Sequence, residues 1–381
     1  MSEAGRVLVV TNDFPPRRGG IESFVSSLCS SLPPDRVVVY TARMAGSAAT
    51  DEALAYPVLR DRSTMLLPTR RVARAVRRAA AAHACDRVLF GAAAPLGLLA
   101  GPLRSAGATR IVAVTHGHEV WWSKVPGARR ALRRIAGDVD VLTYVSEFCR
   151  AELTAALPSG AAAAMVRLSP GVDVEAFRPG LDGGAVRQRL GIAAGQPVVL
   201  AASRLVARKG HDVLLAAWPA VRSAHPDAVL LIAGDGPTRR RLQRRAGLPD
   251  LAGSVRFLPG TPFAGMPAVY AAADVFAIPC RTRLAGLEPE ALGMVFLEAA
   301  ACGLPVVVGD SGGAPETVRH GKTGYVVDPR DPVAVADRLQ ALLADPAAAR
   351  AMGSRGREFV TTHYSADAAA GMVRDLLWVD G

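Results

Sequence analysis

The sequence predicts an α/β protein made of two domains, each an open parallel sheet covered by helices. Three observations predict it. The chain has 381 residues, enough for two domains of ordinary size. Half of it is apolar, so each half can bury a core. Short all-apolar runs alternate with helix-like segments, the pattern of parallel strands buried on both faces, and the series starts a second time near mid-chain.

Arg6-Val-Leu-Val-Val10 reads as the first strand, and residues 11–20 as a loop turning on Pro15, Pro16 and the Gly19-Gly20 pair. A helix follows over 21–30. Val37-Val-Val-Tyr40, Arg87-Val-Leu-Phe90, Ile111-Val-Ala-Val114 and Val139-Asp-Val-Leu-Thr143 continue the series. Between Val37–Tyr40 and Arg87–Phe90, residues 69–82 read as a helix. Arg70, Arg74, Arg77 and Arg78 lie on one side of it, with Val72, Val76, Ala79 and Ala80 on the other. A second basic cluster follows at Arg129, Arg130, Arg133 and Arg134.

Residues 177–196 are rich in Pro, Gly and charge, which places the domain boundary there. The pattern restarts with a strand over 197–203 and a helix over 211–223. Strands over 228–233, 255–258, 275–278 and 305–308 then follow. Open α/β sheets bind ligands at the carboxyl ends of their strands, so the loops there are where chemistry is expected.

Composition narrows the function. Lys and Arg outnumber Asp and Glu by 45 to 34, a formal charge of +11 that favours polyanions or phosphorylated ligands. Nucleic acid is not the expected partner, because no recognisable nucleic-acid module or basic stacking platform occurs. The five cysteines are scattered and never form a C-x-x-C pair, which fits reduced thiols in a cytosolic protein and suggests no zinc site. The N-terminus lacks a leader pattern, and no stretch reaches the roughly 18 apolar residues of a membrane span. Membrane contact is therefore expected to be peripheral.

Four constellations fall at strand ends. In Asp13-Phe-Pro-Pro-Arg-Arg-Gly-Gly20, Gly19 and Gly20 open a helix and let backbone amides approach an anion; the loop does not satisfy G-x-G-x-x-G. Ser203-Arg-Leu-Val-Ala-Arg-Lys-Gly210 puts Arg204 and Lys209 after the first strand of the second series, a basic loop suited to phosphate oxygens, without a Walker A pattern. Thr115-His-Gly-His-Glu119 places His116 and His118 around a glycine, suited to handling hydroxyls; no metal-ligand cluster accompanies them. The pair Asp138-Val-Asp140 runs into an apolar strand and is discounted as a metal holder.

The fourth is Glu290-Ala-Leu-Gly-Met-Val-Phe-Leu-Glu298. A helix starting near Gly293 would expose the amides of Gly293, Met294, Val295 and Phe296 to phosphate. Eight residues at helical rise separate the carboxylates by about 12 Å, wider than the carboxylate pair of a glycosidase, which sits within about 10 Å. That spacing predicts a frame for a nucleotide sugar.

These motifs resemble those of retaining glycosyltransferases of family 4. The E-x-seven-E element matches at Glu290 and Glu298, and S-R-L-x-x-R-K-G matches at Ser203 to Gly210. Ser169-Pro-Gly-Val-Asp173 and Ser311-Gly-Gly-Ala-Pro-Glu316 are further matches. The loops at 9–21, 90–96, 115–120 and 280–283 are similar to those of actinobacterial PimB-type mannosyltransferases.

The resemblance implies a GT-B fold, with two Rossmann-like domains facing each other across a cleft. An acceptor-binding domain would span 1–178 and a nucleotide-sugar-binding domain 179–360, with 361–381 a helix crossing back to domain one. It implies a metal-independent transferase without a cofactor, moving mannose from GDP-mannose onto a phosphatidylinositol mannoside at the inner face of the plasma membrane. The implied partners are the nucleotide-sugar donor, the glycolipid acceptor and an anionic membrane surface.

Carried over by residue, Arg204 and Lys209 would neutralise the diphosphate, and Gly19 and Gly20 would approach the diphosphate or the acceptor. His116, with His118 retained beside it, would meet the sugar C6 hydroxyl. Glu290 would hold the hydroxyls at C3 and C4, and Glu298 the ribose. Asp13, Arg17, Trp121 and Trp122 would lie on the acceptor side, with Asp13 and Asp173 at the cleft edge. The chain departs from the PimB-type pattern at Leu284-Ala-Gly-Leu-Glu-Pro-Glu-Ala291, where a Gly-rich run and Asp-Val-Glu-Gly are usual, and at Trp121-Trp122. Two alternatives stay open: a family 4 enzyme with another nucleotide sugar and acceptor, and a binding protein on an inactive scaffold.

Overall fold

The computed structural model of the chain describes residues 5–17 and 19–378. Residues 1–4, Arg18 of the expected glycine loop and residues 379–381 of the expected C-terminal helix lie outside them. The described residues fall into two compact units. One holds the chain up to Gly171 and again from Ala366; the other is Val172–Ser365.

The first unit carries a seven-stranded sheet of β1 (Arg6–Thr11), β2 (Val37–Thr41), β3 (Val58–Arg60), β4 (Cys85–Phe90), β5 (Arg110–Ala113), β6 (Val141–Tyr144) and β7 (Val166–Arg167). Their order is β3-β2-β1-β4-β5-β6-β7, all parallel. Alternation along β1 sends Leu8 and Val10 into one core and Val7 and Val9 into the other. Val72 and Val76 of the helix Arg70–Ala82 cover the first face, and Phe24, Val25 and Leu28 of the helix Gly20–Ser31 the second. Both faces are covered, as the all-apolar strands require.

The second face is completed from the far end of the sequence. The helix Ala366–Trp378 buries Val373, Leu376 and Leu377 in the same core. Arg87 Nε and Arg110 Nε donate to its last-turn carbonyls at Leu377 (2.8 Å) and Leu376 (2.9 Å), where cations suit the helix end.

The second unit carries β8 (Val198–Ala202), β9 (Val229–Ala233), β10 (Val255–Leu258), β11 (Val275–Ile278), β12 (Val306–Gly309) and β13 (Gly324–Val327), ordered β10-β9-β8-β11-β12-β13 and all parallel. The chain enters this unit earlier than residue 179. Val172 N donates to Tyr364 O, Phe177 is buried against Tyr270, and Arg357 Nη1 donates to the carbonyls of Val174 and Phe177. Those bonds hold 172–178 to the second unit despite their linker-like composition. The C-terminal crossing likewise begins at Ala366, after the separate helix Pro346–His363.

Candidate active site

In the second unit β8 ends at Ala202 and the chain turns through Ala207–Lys209 into the helix His211–Ala224. The turn needs Gly210: its φ is +71°, and a Cβ there would collide with the Pro279 carbonyl. Lys209 is thereby driven inward. It is only 6% exposed, and Glu290 only 7%.

The two meet directly. Glu290 Oε2 accepts from Lys209 Nζ at 2.7 Å and from Arg208 Nη1 at 2.5 Å, while Oε1 has no hydrogen bond among the described residues. Burial alone would raise the Glu290 pKa; Lys209 and then Arg208 overcome it and hold the carboxyl below its usual value. The charge is thus kept inside the protein by two cations. A loop across from it fixes the backbone: Glu290 N donates to Ser311 Oγ (3.3 Å), and Gly313 N donates to Glu290 O (2.8 Å). Gly312, at φ +56°, leaves room for that carbonyl.

The expected helix start is present at Gly293, in a left-handed conformation, followed by the helix Met294–Ala301 with no side chain capping it. Two expectations change. The Phe296 amide is used within the first turn, donating to Gly293 O at 3.0 Å, and its ring is fully buried under Gly293. Phe296 is therefore a core residue, and the unsatisfied amides belong to the turn before it. Residues 290–293 also precede the helix, so the helical rise does not measure the distance between the carboxylates. Glu298 is buried, and its Oε2 accepts from Tyr270 Oη at 2.6 Å. Burial raises its pKa, with the tyrosine bond and Lys209 opposing.

The arginine that reaches Glu290 is Arg208, not Arg204. Arg204 is exposed, and although its carbonyl accepts from Val206 N at 2.9 Å, its side chain makes no hydrogen bond or ion pair among the described residues. Two cations, Lys209 and Arg208, thus face one carboxylate. Sequence reasoning missed the part played by Arg208, Tyr270 and Ser311; Arg208 and Ser311 at least lie inside recognised motifs.

In the first unit His116 follows β5. Its Nε2 lies 2.5 Å from Gly91 O, so Nε2 carries the hydrogen and Nδ1 is the ring's acceptor. Burial lowers its pKa against the opposing pull of Glu119, which keeps the ring neutral. Glu119, fully buried, shapes the loop. Its Oε2 accepts from the amides of His116 (3.0 Å) and Gly117 (3.2 Å), and Oε1 lies 3.2 Å from His118 Nε2 without hydrogen-bond alignment. His116 is thus the built-in histidine, and His118 the exposed one stacked beside it.

The glycine loop is simpler than expected. Gly19 is extended, a conformation any residue adopts, and its missing Cβ faces only the mobile Glu22 carboxylate; Gly20 faces open space. The pair leaves the start of the helix Gly20–Ser31 uncapped and open. Asp13 and Arg17 lie 4.0 Å apart in the same loop. Trp121 is 44% exposed, and the partly buried Trp122 packs against the core on one side and stands edge-on to Trp121, ring centroids 6.1 Å apart. Asp173, in the second unit, caps the amides of Glu175 and Ala176 through Oδ1 and so serves its own turn.

Among the described residues no group of three or more His, Cys, Asp or Glu side chains is placed to hold a metal. Asp140 of the discounted pair takes Arg104 and the Ile111 amide, and Asp138 pairs with Arg134. No described helix is long and apolar enough to cross a membrane.

Comparison with known proteins bears on the family and the fold. Residues 18–176 match the family described as Glycosyltransferase Family 4, and residues 184–359 match Glycosyl transferases group 1. The chain is 50% identical over 364 residues, 94% of each chain, to a GDP-mannose-dependent α-(1-6)-phosphatidylinositol monomannoside mannosyltransferase of Mycolicibacterium smegmatis. It is 44% identical over 369 residues, 96% of each chain, to the enzyme of Corynebacterium glutamicum described as acting on the monoacylated form. Among solved structures, Anabaena HepE in complex with UDP superposes with a TM-score of 0.81 at 20% identity, covering 97% of this chain and 98% of that one. That likeness and the two Rossmann-like units give the GT-B fold. The chain belongs to glycosyltransferase family 4, among relatives of the actinobacterial phosphatidylinositol mannoside mannosyltransferases.

Proposed function

We propose that the chain transfers mannose from GDP-mannose to a phosphatidylinositol mannoside with retention of the anomeric configuration. The observation that carries the reading is Glu290, a buried carboxylate with one oxygen held by Lys209 and Arg208 and the other left without a partner. It sits in a chain similar over nearly its full length to mannosyltransferases of that donor and acceptor.

In this reading Glu290 Oε1 accepts from the sugar hydroxyls at C3 and C4. Lys209, Arg204 and Arg208 take the diphosphate, together with the amides of Gly293, Met294 and Val295. As the bond from C1 to the phosphate oxygen breaks, charge grows on the leaving group, and these fixed donors stabilise it. The acceptor hydroxyl attacks C1 on the same face and passes its proton to the departing phosphate oxygen, so no protein nucleophile is required. Glu298, oriented by Tyr270, holds the ribose. His116 Nδ1 receives the C6 hydroxyl, with His118 next to it. Gly19 and Gly20 offer amides to the diphosphate or the acceptor, and Asp13, Arg17 and Trp121 contact the acceptor.

The site of action we infer is the inner face of the plasma membrane, reached reversibly. Arg70, Arg74, Arg77 and Arg78 are exposed on one helix whose apolar side is buried in the core, so electrostatic attraction would carry the binding.

The test is incubation of the purified protein with a panel of nucleotide sugars in EDTA, with and without phosphatidylinositol mannosides. Mannolipid formed from GDP-mannose alone is expected. Transfer from another nucleotide sugar, or onto a water-soluble acceptor only, would replace the donor or acceptor assignment. Activity lost in EDTA and restored by one divalent ion would overturn the metal-free account. Donor binding without turnover on any acceptor would favour an inactive scaffold.

A further inference from the structure

The strands of the second unit all run the same way, so the loops that follow β8, β9, β10 and β11 open on one side of the sheet. Lys209 lies in the first of these loops and Glu290 in the last. The loop after β10, residues 259–262, is tied to the Ser203–Gly210 loop through the one after β9. Leu205 N donates to Asp235 O at 2.9 Å, and Asp235 Oδ2 accepts from Gly260 N at 2.6 Å. Its place relative to Lys209 is thereby fixed.

Phe263 stands at the end of that loop and is 59% exposed. It alone among the described Phe, Tyr and Trp side chains of the second unit is exposed. It is nonetheless held in place. Its ring packs on the buried Phe177, centroids 5.4 Å apart, and Phe177 packs in turn on the buried Tyr270 at 5.8 Å. The turn Phe263–Gly265 runs directly into the helix Met266–Ala271, which puts Phe263 and Tyr270 two helical turns apart on one side, about 11 Å along the axis. Tyr270 Oη donates to Glu298 Oε2 at 2.6 Å. One side of this helical run therefore leads from the Glu298 carboxylate to an exposed aromatic ring. Leaving that ring in water is unfavourable, and a ring already fixed on one side is prepared to take a flat partner on the other.

We propose that Phe263 is the platform on which the nucleobase of the donor stacks. The inference rests on the nucleotide-sugar reading above, which puts the sugar at Glu290, the diphosphate at Lys209 and the ribose at Glu298. The base comes next in that order, so it lies beyond Glu298 on the side away from Glu290. Tyr270 and Phe263 extend on that side, toward β10 at the edge of the sheet, whereas Glu290 belongs to the loops around β8, β11 and β12. Every nucleobase has a flat π face, and stacking on an aromatic side chain is a recurrent source of affinity for it. The base would cover the ring face that Phe177 leaves open.

The experiment uses the full-length protein in EDTA and two probes, GDP and inorganic pyrophosphate. The second keeps a diphosphate and lacks the base. Isothermal titration calorimetry gives Kd for GDP, and displacement of GDP gives it for pyrophosphate. Phe263→Ala should raise Kd for GDP about 10-fold and leave Kd for pyrophosphate unchanged. Phe263→Tyr keeps the ring and should bind GDP as the wild type does.

An unchanged Kd for GDP in Phe263→Ala overturns the proposal. So does an equal rise for GDP and pyrophosphate, because the ring would then matter only through the shape of the diphosphate loops. Phe263→Tyr binding GDP as weakly as Phe263→Ala also overturns it, since a stacking face is all that the two aromatic residues share. A wild type that binds no GDP removes the donor reading itself and this inference with it, whereas GDP bound equally well by the wild type and Phe263→Ala removes this inference alone.

Discussion

Glu290 shows how a single carboxylate can be kept charged inside a protein. Lys209 and Arg208 both hold Oε2, so replacing the carboxylate by an amide leaves two cations without their counter-charge. Glu290→Gln should lower kcat by about 10²- to 10³-fold, the range seen when a transition-state donor set is disturbed, and steady-state kinetics check it. No glycosyl-enzyme adduct should accumulate by mass spectrometry, since Glu290 positions the sugar and does not attack it. The sequence disclosed Glu290 and Lys209 through spacing and motif. It did not disclose which of Arg204 and Arg208 meets the carboxylate, because the turn Ala207–Lys209 decides that and both residues are arginine. Phe296 was likewise misplaced, because an apolar residue next to a site and one in a core look alike in sequence.

Buried histidines make stability depend on pH. Burial first, and then neighbouring Lys209, push His211 down to about 4; burial also lowers His116. Unfolded, both titrate near about 6.5. Above that pH neither state binds the proton and there is no effect. As pH falls from about 6.5, the unfolded chain takes protons that the folded one refuses, so stability falls until the folded groups titrate. For His211 the loss between neutral pH and pH 4 is on the order of 3 kcal/mol. Thermal melts across this window should show falling Tm, and His211→Gln should flatten the slope.

At the scale of elements, two helices carry separable predictions. On the helix Arg70–Ala82, Arg71 is tied to Asp61, and Arg74, Arg77 and Arg78 line a groove of about 580 Å³ together with Ala81 and Ala106. Replacing Arg74 and Arg77 by Ser should weaken sedimentation with anionic vesicles by about 5-fold per residue, from about 1 kcal/mol each, and high salt should do the same. Equal binding to neutral vesicles would contradict the electrostatic account. The helix Ala366–Trp378 is a structural strut. Truncation after Ser365 removes Val373, Leu376 and Leu377 from a core, at about 1.5–3 kcal/mol each, so differential scanning calorimetry should record a large fall in Tm. The first helix was legible because its valines recur at helical spacing and its arginines fall between them. The place of the second depends on packing against residues more than two hundred positions away, which no local pattern encodes.

For the whole molecule, the fold class was legible because parallel strands buried on both faces are continuous apolar runs, such as β1, β8 and β9. The short edge strands β3, β7 and β13 were not, since none of their residues but Gly324 and Val327 is fully buried and their runs are brief. The linker was read by composition, yet 172–178 belongs to the second unit through Arg357 and Phe177, contacts that composition does not carry. The central claim, retaining mannosyl transfer at the Glu290 site, is tested most directly by NMR of the product. The purified protein, GDP-mannose and phosphatidylinositol monomannoside are incubated in EDTA, and the anomeric signal of the new linkage is followed for the wild type and Glu290→Gln. The wild type should form an α-linked mannoside with release of GDP, and the variant should form it far more slowly; a β-linked product, or a variant as fast as the wild type, would contradict it.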